Sequence, residues 1–173
     1  MVIRQDESSG GVCVGMTEAR VWELLEEVKD PEIPVVSVVE MGLIRSVGLE
    51  QGKVSVVMTP TFIGCPALQV IRESIRERLL DAGVGEVEVK LVLSPPWSSD
   101  WITPAGREKL RSFGLAPPPK HGGRVEAALD QAVACPYCGS LDTDLKNSFG
   151  PTLCRAIYTC RACTQPFEGF KPV

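Results

Sequence analysis

The chain has a single histidine among 173 residues, few aromatics (6%), no apolar run long enough to cross a bilayer and no excess of positive charge. One histidine, His121, cannot build a Ser-His-Asp set or an acid–base pair, and no glycine-rich loop is present to cradle a phosphate. Independent catalysis is therefore not expected. A bilayer-spanning helix needs about 20 consecutive apolar residues, so a soluble protein is expected. The first fifteen residues carry Asp6 and Glu7 and lack the apolar stretch of a secretory signal, which predicts a cytoplasmic protein with reduced thiols. The net charge of −4 argues against nucleic acid as the main partner. Residues 132–173 alone balance four cations against three anions, too little to hold a phosphate backbone.

Cysteine is plentiful by contrast, with seven in the chain. Cys135-Pro136-Tyr137-Cys138 and Cys160-Arg161-Ala162-Cys163 form two Cys-x-x-Cys pairs with 21 residues between them. Each pair can grip one ion on a tight turn, and the two together can close a tetrahedral shell. This predicts a four-cysteine zinc ribbon, with Cys135, Cys138, Cys160 and Cys163 as ligands and Zn²⁺ as cofactor; four thiolates also accept iron. Cys-Pro-Tyr-Cys has a rival reading as a redox dithiol. Gly139-Ser140 turns the chain away after it, however, where a dithiol of that kind would open a helix.

The fold class expected is α+β: a small helix–hairpin–helix–strand layer followed by the ribbon. Residues 1–15 are polar and read as a disordered tail that holds Cys13. Thr17 is an N-cap for a helix whose Val21, Leu24, Leu25 and Val28 share one face, and Pro31 is expected to end it at Asp30. Leu43 to Leu49 and Lys53 to Thr59 predict a hairpin turning at Gln51-Gly52. A helix from Pro66 to about Ala82 carries Leu68, Ile71, Ile75 and Leu79 on one stripe and stops at Gly83. Alternation from Val87 to Leu93 predicts a further strand, and Thr103 to Phe113 a last helix. The first domain is thus set at 16–114, a linker at 115–131 containing Pro117 to Pro119 and a solvated His121, and the ribbon at 132–173.

Cys65 lies in Gly64-Cys65-Pro66, which puts it at the N-cap of the second helix with Pro66 at the first helical position. Helix amides stabilise an anion, so Cys65 is a candidate for a lowered pKa and for nucleophilic or metal-binding chemistry; a small buried hydrophobe is the alternative. Asp30, Glu32 and Glu40 approach the thiol, and raise its pKa, if the loops after the first helix and after the second strand share one end of the sheet. Glu32 reads as turn chemistry and Asp30 stays open.

Asp30-Pro31-Glu32-Ile33-Pro34, Met41-Gly42-Leu43-Ile44 and the run from Thr59 to Ala67 resemble the small iron–sulphur-assembly domain of bacterial cluster-maturation proteins. Pro96 to Pro104, Phe149 to Ala156 and Pro166 to Lys171 narrow this. The chain, from about Met16 to Lys171, resembles the D-subunit (also lettered J) family of phenylacetyl-CoA oxygenase systems. The resemblance implies an accessory role in phenylacetate breakdown beside a di-iron monooxygenase and an iron–sulphur flavin reductase, in maturing or delivering the reductase's cluster. It makes Cys65, with Asp30 as a second candidate, the point where iron or a cluster is transiently held. No paired Glu-x-x-His motifs exist here to build a di-iron site. Cys154 falls in a matched segment but outside the four-ligand spacing, as a packed thiol or a fifth sulfur for ligand exchange. The competing expectation is a scaffold that docks oxygenase components through the ribbon and the Trp97 and Trp101 surface, and a nucleic-acid-binding ribbon stands third. The resemblance leaves self-association open, with no coiled-coil heptad here to support it.

Overall fold

The computed structural model describes residues 15–129 and 131–173; the expected tail, with Cys13, falls outside them except for Gly15. Helix α1 (Glu18–Glu27) begins where the sequence predicts, with Thr17 Oγ1 accepting the Arg20 amide at 3.1 Å. It ends earlier than predicted. Val28 is already extended, and its carbonyl accepts the Val38 amide at 2.9 Å. Asp30, which Pro31 keeps out of helical geometry, lies in a short strand β1 (Lys29–Asp30) paired with β2 (Ile33–Ser37).

Strands β3 (Ile44–Glu50) and β4 (Lys53–Met58) form the predicted antiparallel hairpin. Gln51 and Gly52 both have positive φ (47° and 80°), the backbone a two-residue hairpin turn requires. Helix α2 (Ala67–Asp81) then crosses over to β5 (Glu86–Leu91), which lies parallel to β4. Val21, Leu24 and Leu25 from α1, Ile71, Ile75 and Leu79 from α2, and Val54, Val56 and Met58 from β4 are fully or almost fully buried in one core. Burying a side chain of this kind contributes about 1.5–3 kcal/mol, which is why the apolar periodicities locate these elements well. The alternation expected from Val87 to Leu93 fades at its end, where Leu91, the last residue of edge strand β5, and Leu93, beyond the strand, are exposed.

Helix α3 (Pro104–Ser112) is capped by Thr103 and packs on β2. The segment after it, expected as a linker, carries two short elements. Strand β6 (Leu115–Ala116) joins a four-stranded sheet in the order β6-β9-β8-β7, with β7 Thr143–Asn147, β8 Arg155–Cys160 and β9 Pro166–Phe170. A short helix α4 (Val125–Leu129) lies between β6 and the first cysteine pair.

His121 is a correction: it is buried, not solvated. Its Nε2 lies 3.1 Å from the Val173 carbonyl and 3.3 Å from Ser98 Oγ, while the His121 and Gly122 amides donate to the Asp100 carboxylate. The polar partners available on the loop at 98–100 offset the cost of burying the ring. Phe170 inserts into the core of the first layer against Trp97 (centroids 5.8 Å apart), so ribbon and layer share hydrophobic contacts. Among the described residues no helix is long and apolar enough to cross a membrane.

Candidate functional site: a thiol cage and a thiol cleft

The structure sorts the described cysteines into two groups. Cys135, Cys138, Cys160 and Cys163 bring their sulfurs within 4.8 Å of one another, the one such group of possible ligands among the described residues. Cys135 Sγ lies 3.7 Å from Cys163 Sγ, and Cys138 Sγ lies 3.6 Å from Cys160 Sγ. A tetrahedral ion with Zn–S bonds of about 2.3 Å holds its sulfurs about 3.8 Å apart, so the donor set fits zinc in both chemistry and size.

The two knuckles are built alike. The Cys135 amide donates to the Ser140 carbonyl at 2.9 Å, and the Cys160 amide to the Gln165 carbonyl at 3.0 Å. The residue after each second cysteine is left-handed, Gly139 at φ 76° and Thr164 at φ 62°. These turns aim backbone amides at sulfur. The Cys163 amide does most to hold the Cys160 thiol down to about 7. At Cys138 the Ser140 amide also pulls down, but burial and the neighbouring sulfurs prevail and push that thiol up to about 12. Within this crowded set of thiols Cys160 ionises first, while the neighbouring sulfurs push Cys138 and Cys163 upward, and a cation replaces the protons when it binds. Behind the cage, Ala116, Val133 and Phe167 form a small core, and Tyr158 stacks on Phe167 at 5.4 Å.

The other thiols lie elsewhere. Cys65 is half-buried, one residue further from the helix than expected: Pro66 occupies the cap and Ala67 is the first helical residue. The Ala67 amide is directed at the sulfur and favours the thiolate, but burial outweighs it, and Glu32, Asp30 and Cys154 add to the upward shift. The expected lowering of the Cys65 pKa is therefore reversed, because one amide on a helix start does not compensate for lost water and two nearby carboxylates.

Of the three acids considered, two share this end of the sheet. Asp30 accepts the amides of Glu32 (2.8 Å) and Ile33 (3.1 Å), a turn role, and burial raises its pKa. Glu40 is bound elsewhere, accepting the Ser37 amide at 2.9 Å and pairing with Lys109.

Cys154 belongs to the Cys65 group, not to the cage. Both line a cleft of about 240 Å³, whose walls include Glu32 and Phe62 from the layer and Phe149 and Leu153 from the ribbon. Cys154 is buried, with Thr152 Oγ1 3.1 Å from its sulfur. Arg155 locks the two walls together: its guanidinium donates to the Glu32 carbonyl at 2.7 Å and pairs with Glu168 at 2.8 Å. Sequence reading missed this guanidinium bridge, and the only signal for it was the matched segment from Phe149 to Ala156. Trp97 is buried, with Nε1 donating to the Met41 carbonyl at 3.0 Å, and the Trp101 ring is covered by the Arg45 guanidinium at 3.8 Å. The expected tryptophan docking surface is thus not an exposed one.

Residues 18–91 match the iron–sulfur cluster assembly protein family, and residues 119–171 match the PaaD zinc beta ribbon domain. An Escherichia coli protein provisionally named as the D-subunit of 1,2-phenylacetyl-CoA epoxidase is 42% identical over 152 residues, covering 87% of this chain and 90% of that one. The chain belongs to this D-subunit family. An Fe–S protein maturation auxiliary factor of Bacillus subtilis is 38% identical over 78 residues, covering 44% of this chain and 76% of that protein. The crystal structure of a DUF59 domain of unknown function from Bacillus anthracis superposes with a TM-score of 0.51 at 32% identity, covering 54% of this chain and 90% of that domain. The four clustered cysteines of the cage lie inside the stretch that matches the zinc beta ribbon domain.

Proposed function

We propose that the chain is a non-catalytic accessory protein of a phenylacetyl-CoA epoxidase system, which holds iron or an iron–sulphur cluster at Cys65 and passes it to the iron–sulphur reductase component. The observation that carries this reading is the contrast in closure between the two thiol sites. Four sulfurs surround the cage, which leaves no position for an acceptor, whereas Cys65 stands half-buried at an open cleft on the iron–sulphur-assembly layer. The D-subunit relative supports the epoxidase setting, and the auxiliary-factor relatives support cluster handling. In this reading zinc is structural, and Asp30 positions the Pro31–Ile33 turn beside the thiol through its two amide contacts.

The test is metal and acid-labile sulfide analysis with a visible spectrum on chain purified without oxygen, beside Cys65→Ser, together with cluster occupancy of the reductase in cells. One zinc in both proteins, with iron, sulfide and charge-transfer bands lost in the variant and lower reductase occupancy, is the expected result. Normal occupancy with Cys65→Ser would defeat the reading.

A docking scaffold is the second reading. It is favoured by the exposure of Ile63 (79%), Phe149 (75%) and Leu153 (54%) on and beside the cleft walls, an apolar rim of the kind that anchors partners. A scaffold retains oxygenase components in a pulldown whatever residue stands at 65, while a carrier binds transiently and needs the thiol.

A further inference from the structure

We infer that Cys154, delivered by the ribbon, is the second sulfur ligand of the Cys65 site, so that layer and ribbon together form a two-thiol seat for an iron–sulphur cluster. This rests on the reading of Cys65 as a cargo thiol and extends it to a residue outside that layer. Three observations carry it. The two cysteines line one cleft, and its volume of about 240 Å³ is more than ten times the roughly 15 Å³ that admits one water. Asp30 and Glu32 lie within electrostatic reach of both sulfurs, which places the thiols at the same end of the sheet.

Finally, the backbone at Cys154 is held from several sides. Lys171 N–H donates to its carbonyl at 2.8 Å, Arg155 N–H donates to the Thr152 carbonyl at 3.1 Å, and the Arg155 side chain ties the segment to Glu32. These contacts fix where the Cys154 sulfur stands relative to the Glu32 wall.

Two sulfurs suit cargo better than four. Each thiol loses its proton as its sulfur bonds iron. Half the thiolate positions of a cluster that takes four cysteines then stay open to other ligands. On transfer, two acceptor thiols replace Cys65 and then Cys154 in turn, each passing its proton to the sulfur it displaces, and no electrons move. Exposure sets the order, since Cys65 is the more accessible and Cys154 the more buried.

The full zinc-loaded chain is reconstituted without oxygen with ferric iron and sulfide, alongside Cys65→Ala, Cys154→Ala and Cys154→Ser. Iron, sulfide, zinc and the visible circular dichroism are read for each. The unmodified chain is expected to take up a cluster, and each variant to lose at least tenfold in retained cluster while keeping one zinc. Cluster retention at the unmodified level in both Cys154 variants, with loss in Cys65→Ala, overturns this inference and leaves the Cys65 reading standing. Unchanged retention in Cys65→Ala, or no uptake by the unmodified chain, overturns both. Should the Cys154 variants lose zinc, dibromobimane on the unmodified chain decides: fluorescence from a Cys65–Cys154 bridge, located by peptide mapping, supports the pair, and its absence refutes it.

Discussion

The cage and the cleft use the same side chain to opposite ends. In the cage, four thiols come from two short turns of identical closure, so local sequence supplies nearly all the geometry and the sulfurs meet at ion-binding distance. In the cleft, two thiols come from segments far apart in the chain, and their meeting depends on how ribbon and layer dock. A closed shell stabilises a fold, and an open one leaves positions for exchange. In the proposed reading, the difference between a structural and a functional cysteine therefore lies in the number of sulfurs around it, not in the cysteine itself.

Removing zinc should break this comparison most severely. Apparent binding free energies of structural zinc in small ribbons are about 10–16 kcal/mol. Chelation, or Cys160→Ala, is thus expected to abolish the β7–β9 sheet and with it one wall of the cleft. Cys65→Ser should leave thermal unfolding within about 1 kcal/mol of the unmodified chain, because its side chain is only half-buried. Far-ultraviolet circular dichroism with zinc titration checks both; equal losses would mean that the sites are not distinct.

Trp97→Ala comes next. The ring is buried against Phe170 and donates a hydrogen bond across to Met41, and truncating such a side chain costs about 3–5 kcal/mol. Denaturant unfolding should show the layer and the ribbon separating into two transitions.

Glu40→Ala sharpens the contrast between acids beside the cleft and acids away from it. Glu40 accepts the Ser37 amide and pairs with Lys109, and its loss should cost about 1–3 kcal/mol. Burial opposes the charged form, but the Lys109 contact and the Ser37 amide prevail, so the folded carboxyl titrates below its ordinary value of 4.5. The stabilisation is complete above the ordinary glutamate range and disappears as pH falls through the lowered folded value. Stability of the unmodified chain and of Glu40→Ala should therefore converge in acid, as read by urea titrations at several pH values. At Cys65 the raised pKa predicts the opposite ordering in reactivity: alkylation by iodoacetamide should follow a midpoint above the ordinary thiol value of 9.0 and stay slow at neutral pH. Rates at or above those of an unfolded control at neutral pH would contradict this.

The smallest effect is expected at Thr164, the left-handed partner of Gly139. Thr164→Gly relieves a backbone strain and should stabilise the zinc-loaded ribbon by about 0.5–1 kcal/mol, measured as resistance to chelator. Gly139→Thr should do the reverse by a similar amount.

Much of this molecule was legible in its sequence, for reasons that are local. The Thr17 and Thr103 caps, the Gln51–Gly52 turn and the Ile71–Ile75–Leu79 stripe are set within a few residues, so their elements were found within one to three positions. The cage was legible because two-residue spacing and a left-handed turn leave paired sulfurs few alternatives. The pairing of Leu115–Ala116 with β9 and the burial of His121 were not, because each depends on a partner distant in sequence, β9 and the loop at 98–100; the β1–β2 pair is local, but two residues at an irregular register leave no readable period. Cys154 shows the limit best. From spacing alone it was a packed thiol or a spare ligand of the cage, and only the docking of the Phe149–Arg155 loop onto the Glu32 turn placed it beside Cys65. Sequence by itself determined which residues can bind metal and where the chain turns, because those are short-range properties. Tertiary structure alone decided which thiols line one cleft, since the burial of Phe170 and Trp97 and the Arg155 bridge act only once the two halves are packed.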